Sequence, residues 1–135
     1  MRFLLDTNTV SYLLRNQGMV KTHLEQYSPQ DIAISSITEA ELLYGIAKNP
    51  QPQLINAVSS FLQTVHVLAW DRHAAKHYGT LKASMMKHGL SMAELDLQIV
   101  SHALSLDLTL VTSDHGILQL QKMPHLPLKL ADWRQ

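Results

Sequence analysis

Residues 2–8 read RFLLDTN, in which three apolar side chains are followed at once by an aspartate. A short apolar run is typical of a strand in a parallel sheet, because helices cover both faces of such a sheet. The run predicts a first strand over residues 2–5 with Asp6 at its carboxyl end. Thr7 or Asn8 is expected to cap the helix that follows. Ligands of open parallel sheets bind at the carboxyl ends of strands, so Asp6 is a candidate functional residue.

Outward from this strand, segments of strand character alternate with segments of helical spacing. The alternation predicts an α/β fold, a three-layer α/β/α sandwich around a central, mainly parallel sheet. A length of 135 residues, with no repeat and no linker, predicts a single domain over residues 1–135. Further strands are expected at Ala33–Ser35, Val65–Leu68, Thr109–Thr112 and within 126–130, and helices at about 8–15, 36–48, 54–62, 71–88 and 92–105.

Composition excludes several classes of protein. The absence of cysteine excludes disulfides, thiolate zinc sites, iron–sulfur clusters and cysteine nucleophiles, and indicates a reducing compartment. No apolar run approaches the roughly 20 residues that span a bilayer, and the run before Asp6 is too short for a secretion signal. We therefore expect a soluble, cytoplasmic protein. Eleven Lys and Arg balance eleven Asp and Glu, so a nucleic-acid partner would have to be held by local basic patches.

Two S-x-x-E sequences indicate helix starts. In such a capping box the serine side chain accepts a hydrogen bond from the first helical turn, and the glutamate reaches back to the serine N–H. Ser36 with Glu39 and Ser91 with Glu94 match this pattern. Assigning Glu39 to a cap leaves Glu41, about 200° further round the same helix, without that role.

Three more acidic residues stand where a charge is unusual. Glu41 lies in a helix that is apolar almost all round and has no Lys or Arg three or four residues away. Asp96 lies near the centre of the apolar face of its helix, and Asp114 follows the strand that ends at Thr112. A buried charge is costly unless it is paired or bound to a metal. The alternatives are ordinary turn caps for Asp6 and Asp114, a helix-dipole role for Asp96 and simple exposure for Glu41.

Asp6, Glu41, Asp96 and Asp114 are predicted to converge at the carboxyl edge of the sheet. Like charges close together raise one another's pKa and destabilise the fold unless a cation neutralises them. Oxygen ligands without His or Cys select hard cations, here Mg²⁺ or Mn²⁺. An ion held by carboxylates is a common tool of phosphoryl chemistry, because it activates water and polarises the phosphate. The four acids therefore predict a metal-dependent nuclease.

The acids belong to longer stretches that recur in one family. In order and spacing, and over nearly the whole chain, these stretches resemble the PIN-domain ribonucleases of the VapC toxin type. They are LLDTN at 4–8, ITEAELLYG at 37–45, WDRHAAKHYGTLKASMMKHG at 70–89, DLQIVSHAL at 96–104, LTLVTSD at 108–114 and LADW at 130–133.

The resemblance implies a PIN-like nuclease domain with a Mg²⁺-dependent acidic site in which Mn²⁺ is able to substitute, endoribonuclease activity on single strands, and a cognate VapB-type antitoxin. It implies that Asp6, Glu41, Asp96 and Asp114 are catalytic and that the three aspartates bind the metal. The stretch 96–112 is most similar to the subgroup that cleaves initiator tRNA in the anticodon stem-loop, which would inhibit translation.

Polar residues beside the acids are candidates for supporting roles. Asn8 and Thr112 are able either to order a metal-bound water or to make turn hydrogen bonds. Ala93 stands where the family usually has Gly before the third acid, and Ser113 with Asp114 replaces a common Asn-Asn pair. A family that tolerates Asn at the fourth position does not require its charge, so the role of Asp114 stays open.

The helix over 71–88 carries an excess of positive charge. It predicts either an RNA-backbone contact or a plain solvated face. His73 and His77 have the spacing of a zinc-binding pair, but no Glu lies between them, so a solvated flank is favoured. The candidate RNA-binding residues are Arg72, Lys76, Lys82 and Lys87.

The helix over 37–47 has more apolar surface than one core face uses, and so does the helix after Asp6. Surplus apolar surface on a small domain usually marks a protein interface. The resemblance implies that an antitoxin covers it, in a toxin–antitoxin hetero-oligomer or with the toxin as a homodimer. The candidate interface residues are Val10, Leu13, Leu14, Leu43 and Tyr44.

Two other functions fit parts of the pattern. A phosphohydrolase with an acidic Mg²⁺ pocket also places Asp after its first strand, but it needs a second acid where this chain has Asn8. A non-catalytic PIN-like module that binds RNA or protein would have no need of all four acids. Metal-dependent RNA cleavage distinguishes the nuclease from both.

Overall fold

A parallel sheet forms the centre of the computed structural model, which describes residues 1–135. Its strands are β1 (Phe3–Leu5), β2 (Ile32–Ser35), β3 (His66–Leu68), β4 (Thr109–Val111) and β5 (Leu130–Ala131). They lie in the order β3-β2-β1-β4-β5, and every pairing is parallel. The predicted sheet is confirmed, and because all strands run the same way, their carboxyl ends share one edge.

Helices connect the strands and cover the sheet. Short 3₁₀ turns at Pro29–Asp31 and Gln119–Lys122 complete the connections. None of the helices combines the length and apolarity needed to cross a bilayer. The helices are α1 (Thr7–Leu14), α2 (Val20–Leu24), α3 (Ser36–Lys48), α4 (Pro52–Thr64), α5 (Arg72–Lys87), α6 (Glu94–Leu106) and α7 (His115–Leu118).

Alternate residues of β1 enter two separate apolar clusters. Leu4 packs in a cluster with buried residues of α5 and α6, whereas Phe3 and Leu5 pack with buried residues of α1, α2, α3 and α4. Successive strand side chains point to opposite faces of a sheet, so the two clusters are the two interlayer cores. The predicted three-layer sandwich is thereby confirmed.

The helix caps differ from the prediction at three places. Asp6, and not Thr7 or Asn8, caps α1, because its side chain accepts a hydrogen bond from the N–H of Thr9 at 2.8 Å. Ser35, and not Ser36, caps α3 by accepting from the N–H of Ile37 at 3.1 Å. In both cases the extended residue at the end of the strand is itself the cap, so the cap lies one or two residues earlier in the chain than the sequence suggested.

The third difference concerns the loop before α6. Ser91 does not cap this helix, which begins at Glu94 with Ala93 at the capping position and no side-chain cap. Glu94 instead accepts hydrogen bonds from Lys82 at 2.8 Å and from Tyr78 at 2.6 Å. A cation and a phenol on α5 thus replace the backbone N–H that a capping-box glutamate would bind.

Smaller differences affect element lengths. The short helices α2 and α7 were not among the expected helices, α4 is longer than expected, and β5 occupies only the end of the late apolar segment. None of these changes moves the four acids, because each of them adjoins β1, β4, α3 or α6.

A buried histidine joins the middle of α6 to the start of α3. His102 is almost completely buried, and its Nδ1 lies at hydrogen-bond distance, 2.8 Å, from the Ser35 hydroxyl. Burial lowers the pKa of His102, although the charge of Asp71 and a hydrogen bond to the Ala69 backbone oppose the shift. The neutral imidazole is therefore part of the fold. The hydroxyl oxygen of Ser35 also accepts the hydrogen bond from the Ile37 N–H that caps α3.

We expect His102 to contribute a loss of stability in mild acid. Because its folded-state pKa lies below its unfolded value, the unfolded chain binds more protons as the pH falls below about 6.5, so the free energy of unfolding decreases. We expect His102→Asn to cost about 1–3 kcal/mol at pH 8, for the disturbed buried hydrogen bonds, and to weaken the loss of stability between pH 7 and 5. Urea unfolding at several pH values measures both effects. An equally steep acid loss in the variant would contradict the assignment.

Candidate active site

Asp6 lies at the carboxyl end of the central strand and is fixed by bonds to β4. It is 2% exposed. Its N–H donates to the Val111 carbonyl at 3.1 Å, and its Oδ2 accepts from the Thr112 hydroxyl at 2.5 Å. With Oδ1 bound to the N–H of Thr9, both carboxylate oxygens have donors. Burial raises the pKa of Asp6, the charge of Asp114 adds to the rise, and the Thr112 and Thr9 hydrogen bonds oppose it.

Asp114 is tied to Asp6 through Thr112. The Asp114 N–H donates to the Thr112 hydroxyl oxygen at 3.1 Å, while Oδ2 of Asp114 accepts from the N–H of Ile117 and caps α7. A Cβ at Gly116 would lie 2.9 Å from Oδ2 of Asp114. The absence of a side chain at position 116 therefore allows the carboxylate to take this position.

Glu41 enters the site from the side of α3. It is half-buried, and its Oε1 accepts a hydrogen bond from the Thr7 hydroxyl at 2.5 Å. The predicted isolation of this carboxylate from Lys and Arg is confirmed, because no salt bridge involves it. Its partner is the hydroxyl of Thr7, the first residue of α1, which the sequence had suggested only as a helix cap.

Asp96 shows that the four acids lie close together. It is half-buried in the first turn of α6. Its pKa is raised to about 6, first by burial and then by the charges of Asp114, Asp6 and Glu41. The predicted convergence at the carboxyl edge is therefore present in the structure, and the edge is negatively charged.

An open pocket of about 340 Å³ lies over part of this edge. Glu41 and Asp96 line it, whereas the Asp6 and Asp114 carboxylates are turned toward backbone and hydroxyl donors. No group of three or more acidic or histidine side chains is arranged to enclose a metal ion. The carboxylates are near enough for their charges to act on one another, but they do not form a closed metal-binding cage.

The chemistry of the donors nevertheless fits a hard cation. All four side chains offer oxygen, and none of them has a cationic partner. Mg²⁺ keeps several waters and needs only one or two direct carboxylates, so a closed protein cage is not required. A divalent cation would also offset the repulsion that adds to the effect of burial in raising the pKa of Asp96. The residues present therefore fit Mg²⁺ or Mn²⁺.

The supporting and basic candidates have mixed outcomes. Thr112 is fully buried and joins two of the acids, whereas Asn8 is exposed and lines the pocket. Of the candidate RNA-binding residues, Lys82 is not free, because it is paired with Glu94 at 2.8 Å. The remaining three, Arg72, Lys76 and Lys87, are exposed on α5 and stay a prediction.

The predicted partner surface needs one correction. Val10 is completely buried against the sheet and is not available to a partner, because it faces the core that Phe3 and Leu5 also fill. Leu13 and Leu14 are half-buried against the same core. Leu43 and Tyr44 are exposed, at 45% and 65%.

Comparison with known proteins identifies the class of this fold. A family model described as PIN domain matches residues 3–123. The match spans all four acids and every strand except β5. The chain belongs to the PIN-domain family.

Similar proteins show to which group of the PIN-domain family the chain belongs. It is 32% identical to ribonuclease VapC2 of Haemophilus influenzae over 84% of this chain and 87% of that one. It is 30% identical to the tRNA(fMet)-specific endonuclease VapC of Salmonella typhimurium over 98% of both. Its fold matches DNA-bound VapBC from S. typhimurium with a TM-score of 0.85, at 30% identity and 98% coverage of both. VapBC2 from Rickettsia felis gives a TM-score of 0.84, at 29% identity, over 98% of this chain and 99% of that one. Within the PIN-domain family, the chain belongs to the VapC ribonucleases.

The raised pKa of Asp96 predicts a stabilising mutation. Without metal, the folded state binds more protons than the unfolded state between pH 4 and 6, so Asp96 lowers stability as the pH rises through this range. In EDTA we expect Asp96→Asn to become more stable than wild type above pH 6, by of order 1 kcal/mol because solvent screens a half-buried charge.

Urea unfolding of wild type and Asp96→Asn from pH 4 to 8 measures this difference in the free energy of unfolding. Because both proteins contain His102, its contribution cancels in the difference. In millimolar Mg²⁺ we expect wild type to become more stable than Asp96→Asn above pH 6, because an ion bound only by the native state stabilises that state. A difference that does not change with pH, in either condition, would mean that the acids do not interact.

Proposed function

We propose that this protein is a metal-dependent endoribonuclease and the toxin of a type II toxin–antitoxin pair. The observation that carries the proposal is the group of four acids, without cationic partners, at the carboxyl edge of the sheet. Membership of the VapC ribonucleases supports the reaction class. A phosphohydrolase is not favoured, because Asn8 occupies the place of its second acid.

Mg²⁺, with Mn²⁺ as a substitute, is the proposed cofactor, and Asp6, Asp96 and Asp114 would hold it. When bound, it supplies an activated water and charge stabilisation at the scissile phosphate. Hydrogen bonds from Thr9 and Thr112 orient Asp6 before any ion arrives. Such preorganisation lowers the reorganisation needed on binding.

Residues around the pocket and on α5 have proposed roles toward the RNA substrate. Glu41 has one oxygen held by Thr7 and makes no other hydrogen bond, so the second oxygen is available to a water or a ribose hydroxyl. Asn8 lines the same pocket and offers an amide to the substrate. The exposed cations of α5, Arg72, Lys76 and Lys87, would contact the RNA backbone.

The proposed substrate is tRNA, cleaved in the anticodon stem-loop of the initiator species. The Salmonella relative at 30% identity is named a tRNA(fMet)-specific endonuclease. Cleavage there would inhibit translation, and the proposed location is the cytoplasm.

The proposed partner is a VapB-type antitoxin. Solved relatives at 29–30% identity are described as VapBC, the S. typhimurium one bound to DNA and the R. felis one to promoter DNA. In this chain an apolar groove of about 180 Å³ runs between α1, α3 and α4 and reaches Glu41 at one end. An antitoxin segment lying there would bring a Lys or Arg to the acids, where it would compete with the metal. The toxin would assemble as a homodimer within the complex.

Cleavage of initiator tRNA tests the reaction. We expect wild type to cut only with Mg²⁺ or Mn²⁺ and Asp6→Asn to lose at least about 100-fold in rate, the scale of a lost catalytic group. Asp107→Asn is the matched control, since Asp107 is exposed and far from the site in its αL turn, and it should cut like wild type. Gel analysis of end-labelled tRNA, with protein purified free of host nucleases, gives the rates.

Full activity of Asp6→Asn would contradict the assignment of the active site. Equal activity of wild type in EDTA would contradict the proposed metal dependence. Cleavage of other RNAs but not of initiator tRNA would overturn only the substrate.

Two glycines offer a matched test of the antitoxin groove. Gly45 on α3 lines the groove and Gly79 lies exposed on α5, and a Cβ at either position meets nothing within 4 Å. Gly→Gln at either site should therefore fold and improve helix propensity by roughly 0.5–1 kcal/mol. We expect Gly45→Gln to weaken binding of the co-expressed antitoxin at least 10-fold and Gly79→Gln to leave it unchanged. Pull-down and calorimetry measure the affinity, and equal binding by both variants would place the antitoxin elsewhere.

A further inference from the structure

The orientation of Glu41 depends on the residue that follows Asp6 in the chain. The Thr7 hydroxyl donates to Oε1 of Glu41 across 2.5 Å, the length of a strong hydrogen bond to a charged acceptor. No cation pairs with Glu41, since the salt bridges of the molecule involve other acids. One neutral hydroxyl therefore fixes this carboxylate.

Thr7 is itself held from a second side. Its hydroxyl lies 3.2 Å from the hydroxyl of Thr38, which is fully buried one turn before Glu41 on α3. A hydroxyl has a single proton, and that of Thr7 is given to Glu41, so Thr38 is the donor in the second bond. A β-branched side chain has few χ1 rotamers, which further restricts the direction of the Thr7 hydroxyl.

The position of Thr7 is coupled to that of Asp6. Thr7 is the first residue of α1, and Asp6 is the cap of the same helix. Thr7 and Glu41 both line the 340 Å³ pocket beside Asp96. A single turn of backbone therefore sets the placement of one acid directly and of another through a hydroxyl.

We propose that Thr7 is a positioning residue for the nuclease reaction. By holding one oxygen of Glu41, it leaves the other as a preoriented acceptor for a water or a ribose hydroxyl in the pocket. This inference rests on the proposed nuclease function and assigns to it a residue outside the four acids. It requires the hydroxyl of Thr7 and not merely its volume.

Substitutions that separate the hydroxyl from the volume test this role. Thr7→Val removes the hydroxyl at nearly constant shape, Thr7→Ala is a second variant without it, and Thr7→Ser retains it. We expect single-turnover cleavage by the Val and Ala variants to fall 10- to 100-fold with KM changed less than 3-fold. We expect Thr7→Ser to stay within 3-fold of wild type. In a Glu41→Gln background, Thr7→Val should cause no further loss.

A measurement without metal or substrate reads the orientation directly. In EDTA, three-bond NMR couplings of the Glu41 side chain should report a single rotamer in wild type and in Thr7→Ser. In Thr7→Val and Thr7→Ala the same couplings should be averaged over rotamers. Thr38→Val removes the second hydroxyl while retaining the bond from Thr7 to Glu41, so its couplings should stay closer to those of wild type than the couplings of Thr7→Val do.

The outcomes separate the two proposals. If wild type cleaves RNA and Thr7→Val cleaves equally well while Glu41→Gln does not, the positioning role is wrong and the nuclease function stands. If wild type cleaves no RNA, the nuclease function fails, and the couplings alone decide whether Thr7 orients Glu41. Additive losses of Thr7→Val and Glu41→Gln, or a Thr7→Ser variant as impaired as Thr7→Val, would overturn the inference.

Discussion

Crowded negative charge at one edge of the sheet is the constraint on which the rest of this site depends. Burial and three neighbouring carboxylates raise the pKa of Asp96 to about 6. The fold tolerates the crowding through neutral donors, namely the hydroxyls of Thr7 and Thr112 and the N–H of Thr9. Neutral donors stabilise a carboxylate without cancelling its charge. The negative potential of the edge is thereby kept for a ligand that arrives from solution.

Local sequence signals were sufficient for the architecture and for predicting that the four acids lie at one edge of the sheet. A short apolar run that ends at a charge specifies both a buried strand and what stands at its end, as at Leu5 and Asp6. Asp96 was recognisable because a charge on the apolar face of a helix contradicts the period of that helix. Both signals lie within one element, so neither needs knowledge of what packs against it.

What the sequence could not reveal depends on contacts between distant segments. The Thr7–Glu41 bond joins residues 34 positions apart, and the Ser35–His102 bond spans 67. Glu94 matched a capping box, but a lysine and a tyrosine from α5 bind it instead. Val10 resembled surplus surface because the depth of the core beneath α1 is a property of the packed layers and not of the helix alone.

The pairing of β1 with β4 has a consequence for synthesis of the chain. The Thr112 hydroxyl that orients Asp6 comes from 106 residues further along the chain. Contacts of such sequence separation form only after the intervening chain is available and its loop-closure entropy has been overcome. Until the ribosome has added residues 112–114, Asp6 has neither Thr112 nor Asp114 beside it. A growing polypeptide of this topology therefore has no assembled acidic edge until β4 and the residues that follow it have left the ribosome and paired with β1.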